Sequence, residues 1–154
     1  MVKVGDGDTV TVLDQGNRQW KVRLAGIDAP EKGQPFGECS KQHLAALVFQ
    51  HDVRVEWKMR DRYQRVVGTV WVAPHDCAPD CRERTDASLA QVVGGLAWHY
   101  KKYEKEQSPE ARVRYAEAEM GARQQRIGLW QDAQPIPPWQ WRHRTKNSRT
   151  IVRE

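Results

Sequence analysis

Long hydrophobic runs are missing from this sequence of 154 residues. A membrane-spanning helix needs roughly 18 consecutive apolar residues, and no run approaches that length, so we expect no membrane partner. The N-terminus also lacks the charged and then apolar pattern of a signal peptide. Strand-like residues follow Met1 directly, at Val2-Lys3-Val4. We therefore expect that a leader has been removed and that the full-length gene product is exported, either secreted or periplasmic.

Cysteine is also scarce, with three in the chain. A chain of this length can bury a core without disulfide or metal staples. Cys77 and Cys81 lie in a Pro-rich loop, where we expect a local disulfide or two free thiols, and Cys39 stands alone in a predicted helix. A zinc site completed by His75 is the alternative, but it would lack a fourth ligand and a standard ligand spacing.

Basic residues outnumber acidic ones by 25 to 20, which gives a formal charge of +5 and a pI near 9.3. This balance favours a polyanionic partner such as nucleic acid. An apolar content of 39% with seven tryptophans indicates a globular fold.

Alternation of apolar and polar residues predicts five strands. Three fall within residues 2–27, where the turns are Gly5-Asp6-Gly7-Asp8 and Asp14-Gln15-Gly16-Asn17. The fourth strand begins at Val53 and the fifth at Val66. We expect an antiparallel, meandering sheet.

Three helices are predicted, over residues 37–50, over residues 87–94, and from the Ser108 cap with Pro109 at the first position to about Ile127. These elements predict an α+β fold with a mainly β core, a five-stranded barrel of the oligonucleotide-binding (OB) type with three α-helices. We assign residues 1–132 to this domain. Residues 133–154 are a Pro-, Trp- and Arg-rich extension that packs on the domain or trails from it.

Two acidic turns about twenty positions apart carry four carboxylates, at Asp6, Asp8, Asp28 and Glu31. If the strand after Asp8 pairs with the strand before Asp28, both turns meet at one end of the barrel. Hard oxygen ligands of this kind suit Ca²⁺ or Mg²⁺ better than zinc. The alternative is that Gly5-Asp6-Gly7-Asp8 is a tight turn and no more.

Arg23 and Arg65 complement these acids. A guanidinium stays protonated at any working pH and can bind two phosphate oxygens at once, so two of them beside a metal site can hold a phosphodiester. Solvated surface arginines are the alternative. For Arg23 this alternative is weaker, because the residue precedes Leu24 on a predicted core strand and carboxylates follow a few positions later.

Three ordered motifs resemble those of the thermonuclease (staphylococcal nuclease-like) family. They are Val4-x-Asp6-Gly7-Asp8-Thr9, then Arg23-Leu24-x-x-Ile27-Asp28-Ala29-Pro30-Glu31, then Asp61-Arg62-Tyr63-x-Arg65. Gly95-Leu96-Ala97-Trp98-His99-Tyr100 and Gly128-Leu129-Trp130 add support, so the resemblance covers roughly residues 2–132. It implies the OB barrel and a monomeric, Ca²⁺-dependent endonuclease that cuts DNA and RNA with little sequence preference and leaves 3′-phosphate and 5′-hydroxyl ends.

The resemblance also implies the metal ligands. Asp8 and Asp28 would supply carboxylates to Ca²⁺, Ala29 its backbone carbonyl, and Asp6 a carboxylate just outside the ligands. The family's best-known member has Thr where Ala29 stands, a difference that a main-chain ligand should tolerate.

By the same resemblance, Glu31 would be the general base that activates the attacking water. Arg23 and Arg65 would stabilise the charge of the five-coordinate transition state. Contacts to the terminal phosphate or the base are implied for Arg62, Tyr63 and Tyr100. A non-catalytic single-stranded nucleic-acid-binding OB module is the rival interpretation, although this chain keeps the acids and arginines that a degenerate copy should lose.

Overall fold

The structure is a computed structural model of the chain, which describes residues 3–74 and 84–151 and, of these, the side chains up to Arg144. The disulfide or zinc site predicted around Cys77 and Cys81 therefore lies outside the described residues. Cys39 is a free, exposed thiol in the first helix.

Eight strands form two sheets in the described part of the chain. In the main sheet the order is β1-β2-β3-β6-β5, with a short β7 paired to β6, and β4 pairs with β8 in a separate sheet. The strands are β1 (Lys3–Asp6), β2 (Thr9–Leu13), β3 (Gln19–Leu24), β4 (Ile27–Asp28), β5 (Val53–Arg60), β6 (Val66–Val72), β7 (Thr85–Asp86) and β8 (Trp98–His99).

The strands β3 and β6 pair in parallel, with Val22 opposite Val66 and Leu24 opposite Gly68. The other pairs are antiparallel. Parallel neighbours need a long crossover connection, which the chain provides by placing its first helix and β5 between β3 and β6. The prediction of a purely antiparallel meander is therefore wrong at this pair.

The predicted five-stranded closed barrel needs correction too. The described strands number eight, and no ladder among residues 3–74 and 84–151 joins β1 to β5 to close the sheet. The three additional strands, β4, β7 and β8, have two residues each. A period-two alternation cannot be recognised over two residues. The coarser prediction, a mixed α+β fold rich in strands, is confirmed.

Four α-helices are present in the described residues, not three: α1 (Gly37–Val48), α2 (Ala87–Val93), α3 (Pro109–Gln124) and α4 (Pro138–Ile151). None is long and apolar enough to span a membrane. The Ser108 hydroxyl caps α3 by accepting from the Ala111 N–H at 3.2 Å, as its sequence predicts. However, α3 ends at Gln124 and not near Ile127, because Arg126 and Gly128 adopt left-handed φ angles of 52° and 58°.

The core lies between the main sheet, α1 and α2. Its fully buried side chains include Val10, Val22, Leu24, Ile27 and Leu44. A second cluster joins Trp98, Leu129 and Trp130, and Trp139 of α4 packs against it. These contacts place the ends of β1, β3 and β4, which carry the acidic turns, next to the first turns of α4.

Candidate active site

Main-chain hydrogen bonds bring the two acidic turns together. The pairing of Thr9 with Arg23 aligns β2 with β3, and the Leu24 N–H donates to the Asp8 carbonyl at 2.8 Å. Asp8 is buried, and its carboxylate accepts from the Ala29 N–H at 2.9 Å and from the Thr9 hydroxyl at 3.2 Å. The Asp8 side chain thus bridges directly to the second acidic turn, 21 residues later in the chain.

Asp6, Asp8 and Asp28 form a corner of closely spaced acids that disfavours further negative charge. Burial raises the pKa of Asp8 well above its usual range, and the charge of Asp6 and that of Asp28 raise it further. Asp6 lies close because it accepts from the Asp8 N–H at 3.1 Å. The corner therefore combines desolvated carboxylates that repel each other, an arrangement that a cation would stabilise.

A cation from the protein itself contacts the second turn. The guanidinium of Arg142, on α4, donates to both Asp28 oxygens at 3.1 and 2.8 Å and to Glu31 Oε1 at 2.6 Å. The Asp28 side chain is 4% exposed and that of Glu31 33%. Hydrogen bonds to Asp28 and then to Glu31 raise the pKa of Arg142, so this residue is charged at any working pH.

Each of the two arginines that the sequence singles out lies beside an acid. Arg23 Nη1 lies 3.4 Å from Glu106 Oε2, and Arg23 Nη2 donates to the Ile27 carbonyl at 3.3 Å. Arg65 Nε donates to Asp61 Oδ2 at 2.8 Å. Burial raises the pKa of Glu106, although the Arg23 charge opposes the rise.

Arg65 also reaches toward the carboxylate corner. Its Nη1 donates to the Thr9 hydroxyl at 3.5 Å, and that hydroxyl in turn donates to Asp8. Arg65 is held in this direction because Asp61 accepts from its backbone N–H at 3.0 Å as well as from its side chain. The β5–β6 turn thereby directs one arginine toward Asp8 in the β1–β2 turn.

Aromatic side chains line the same cleft as these charged groups. Tyr63 is 68% exposed, with the guanidinium of Arg62 5.7 Å and that of Arg65 5.4 Å from its ring centre. Tyr100 is buried and stacks on Trp139 with ring centres 5.1 Å apart and an interplanar angle of 20°. Burial raises the pKa of Tyr100, and the charge of Asp28 adds to the rise.

These side chains line one cleft of about 1190 Å³. Of the predicted site residues, those whose side chains line it are Asp6, Asp8, Arg23, Asp28, Glu31, Arg62, Tyr63, Arg65 and Tyr100. Ala29 is buried at its edge and contacts Asp8 through its N–H. In the part of the chain that the structure describes, no three His, Cys, Asp or Glu side chains are gathered closely enough to hold a metal ion.

Comparison with known proteins identifies the family. The profile of the staphylococcal nuclease homologues matches residues 21–132. The chain belongs to the staphylococcal nuclease family. Its mixed α+β fold, with a strand-rich sheet and several helices, fits that family.

Similar proteins carry nuclease names. A micrococcal nuclease of Shigella flexneri is 44% identical over 149 residues, which covers 96% of this chain and 82% of that protein. An uncharacterized endonuclease of Haemophilus influenzae is 42% identical over 146 residues, or 95% of this chain and 73% of that protein. The staphylococcal-like nuclease CAN1 of Arabidopsis thaliana is 34% identical over 132 residues, which covers 86% of this chain and 35% of that protein. This protein is therefore a nuclease, a phosphodiester hydrolase that acts on nucleic acid, and the rival interpretation as a non-catalytic module loses its support.

Among the other residues that line the nuclease cleft are Asp61, Glu106, Trp139 and Arg142, to which the sequence assigned no role in the site. Asp61 was detectable, since it precedes the Arg62-Tyr63-x-Arg65 motif at the spacing of an Asx turn, and it accepts from the Tyr63 N–H at 2.9 Å. For Arg142 the indication was weaker, namely its position in the basic and tryptophan-rich C-terminal extension. Nothing local connects Arg142 to Asp28, because 114 residues separate them.

Proposed function

We propose that this nuclease is a monomeric, Ca²⁺-dependent endonuclease that hydrolyses DNA and RNA without sequence preference. The observation that carries the proposal is that Arg23 and Arg65 line one cleft together with the acids Asp8, Asp28 and Glu31. Two guanidinium groups suit the oxygens of a phosphodiester, and the acids suit a hard cation. The family and the nuclease names of the relatives support the choice of substrate.

The donor set fits Ca²⁺. Asp8, Asp28 and the carbonyl of Ala29 offer oxygen ligands alone, with Asp6 just outside them, and Ca²⁺ prefers such ligands. The second turn already holds a positive charge, since Asp28 and Glu31 bind the Arg142 guanidinium. When bound there, Ca²⁺ would supply Lewis-acid polarisation of a phosphoryl oxygen.

The protein's own residues would perform the remaining steps. Glu31 would accept a proton from the attacking water, which forms a bond to phosphorus in line with the leaving 5′ oxygen. Arg23 and Arg65 would bind the phosphoryl oxygens and stabilise the added negative charge of the five-coordinate transition state. Cleavage of the bond between phosphorus and the 5′ oxygen gives a 3′-phosphate and, after protonation, a 5′-hydroxyl.

Substrate contacts beyond the scissile phosphate are assigned to Arg62, Tyr63 and Tyr100. The exposure of Tyr63 and the two guanidinium groups within 6 Å of its ring centre support this role. Stacking on an aromatic ring accepts any base, which suits an enzyme without sequence preference. Tyr100 is buried and stacks on Trp139, so it would contact substrate only after this ring pair separates.

The test is cleavage of a single-stranded oligonucleotide with Ca²⁺, repeated with chelator and with Glu31→Gln. We expect Glu31→Gln to lower kcat by roughly 10² to 10⁴, the contribution of a general base. Glu38→Gln is the matched control, since Glu38 is exposed on α1 and its loss removes the same charge. Undiminished cutting by Glu31→Gln would refute the role of Glu31, and undiminished cutting in chelator would refute the need for Ca²⁺.

A further inference from the structure

The helix α4 delivers a cation to the acids that the proposed mechanism uses. Three hydrogen bonds of 2.6 to 3.1 Å join the Arg142 guanidinium to Asp28 and Glu31. Both oxygens of Asp28 and one of Glu31 are taken up by this contact. A bidentate arginine–carboxylate pair is among the stronger and more directional contacts in proteins.

Other contacts fix the position of Arg142. Trp139, three residues earlier on α4, stacks on Tyr100 and meets the Trp98 ring edge-on with centres 5.4 Å apart. Before the helix begins, the Ile136 carbonyl accepts from Gln34 Nε2 at 2.7 Å. The start of α4 is therefore anchored and holds the guanidinium beside the two acids. The Arg142 side chain is 41% exposed, so it can move away from Asp28 and Glu31 into solvent.

This contact conflicts with the roles assigned to the same oxygens. A divalent cation on Asp28 would have to share both carboxylate oxygens with the Arg142 guanidinium, which already binds them. Glu31 cannot freely accept a proton from water while a guanidinium holds Oε1 at 2.6 Å. Either the arginine or the cation and water occupy this turn, and two like charges would also repel at this distance.

We propose that Arg142 sets the cation affinity of the site: it competes with Ca²⁺ for Asp28 and Glu31, and its displacement is a step in forming the active state. The inference rests on the proposed function, which assigns Asp28 to Ca²⁺. Arg142 is a positioning residue in this scheme. It acts on the reaction through the two carboxylates that it holds or releases.

Calorimetric titration of the metal-free nuclease with Ca²⁺ alone tests the competition. We expect Arg142→Gln to bind Ca²⁺ about tenfold more tightly than the parent, an effect of the size that one binding event typically exerts on another. Arg144→Gln is the matched control, because Arg144 is exposed on the same helix and its loss removes the same charge. Its Ca²⁺ affinity should stay within about twofold of the parent, since exposed charges are screened.

Thermal unfolding provides a readout independent of activity. In chelator, Arg142→Gln should melt below the parent, because Asp28 loses its counter-charge while it is 4% exposed. Saturating Ca²⁺ should raise the melting temperature of Arg142→Gln by more than it raises that of the parent. If Arg142→Gln does not fold, Arg142→Lys keeps the charge without the bidentate contact and should give an intermediate gain in affinity.

The outcomes separate this inference from the function on which it rests. Equal Ca²⁺ affinity in the parent and Arg142→Gln overturns the competition and leaves the Ca²⁺-dependent nuclease standing. Equal gains in Ca²⁺ affinity for Arg142→Gln and Arg144→Gln also overturn the competition, because the gain then follows from the loss of any positive charge on α4. If neither protein binds Ca²⁺, the cation assignment of the proposed function fails together with the inference.

Discussion

Replacing Gly7 by alanine is expected to damage both the fold and the site. A Cβ at Gly7 would lie 1.8 Å from the Ser40 hydroxyl oxygen and 2.8 Å from the Cβ atoms of Ser40 and Ala29. Ser40 is fully buried, and its hydroxyl donates to the Leu96 carbonyl at 2.7 Å. The turn that carries Asp8 therefore packs its backbone directly against α1, which only glycine permits.

The loss of stability in Gly7→Ala can be estimated from the groups that the new methyl would displace. Inserting a methyl into a packed core costs about 1–3 kcal/mol, and moving Ser40 breaks its hydrogen bond at about 1 kcal/mol more. We expect Gly7→Ala to lose about 2–4 kcal/mol, a large share of the roughly 5–15 kcal/mol that stabilises an ordinary domain. Because the displaced turn includes Asp8, activity per folded molecule should fall as well.

Urea unfolding of Gly7→Ala against Gly5→Ala measures this. A Cβ at Gly5 has its nearest neighbours at 3.8 Å, an ordinary van der Waals contact in the same turn. Gly5→Ala should therefore stay within about 0.5 kcal/mol of the parent. Adding Ser40→Ala to Gly7→Ala should recover part of the loss by removing the closest clash, and such coupling is typical of residues in contact. Equal stability of the two glycine variants would refute the close packing of the turn.

Two further predictions concern buried polar groups. Gln91→Leu should lose about 2–4 kcal/mol in urea unfolding, because Nε2 donates to the carbonyls of Gly7 and Ser40 at 2.8 and 2.9 Å and both buried carbonyls would lose this donor; a loss below 1 kcal/mol would contradict this. Burial raises the pKa of Asp86, although the Tyr115 hydroxyl donates to it at 2.5 Å. Asp86 therefore binds a proton more tightly in the folded chain than in the unfolded one. The stability that this protonation contributes is present at acid pH and is lost as the pH rises through the folded-state pKa. As the pH rises above about 4, near the ordinary pKa of Asp, the free energy of unfolding of the parent should fall relative to that of Asp86→Asn. If the free energies of unfolding of the two proteins change with pH in parallel, the prediction is wrong.

Local patterns were sufficient for the strands and helices that have enough residues to show a period. The alternation around Val10, Val22 and Val70 marks strands whose side chains are fully buried or nearly so. Ser108 and Pro109 marked the start of α3 because both act through local geometry. Pairing was harder, since the parallel contact of β3 with β6 depends on a crossover of more than forty residues.

The helix α4 escaped prediction for a specific reason. Prolines at 135, 137 and 138 indicate a chain that avoids helix, yet Pro138 occupies the first helical position, where its missing N–H costs nothing. The function of the segment was hidden as well. Its tryptophans and arginines are typical either of nucleic-acid contact or of packing, and the contact of Arg142 with Asp28 joins residues too distant for any motif to link.

The Arg142 contact also supplies a counter-charge to Asp28 and Glu31. An ionised carboxylate as buried as Asp28 is costly unless it is paired, and removing one partner of such a pair typically costs about 3–5 kcal/mol. Arg142 supplies this opposite charge, so the pair should stabilise the fold in the absence of metal. If Ca²⁺ binds Asp28 as proposed, the same pairing should raise the Ca²⁺ concentration needed for activity, because each Ca²⁺ bound must release the arginine. Stability of the metal-free nuclease and affinity for Ca²⁺ are then opposed at one residue, and a variant at Arg142 should move them in opposite directions.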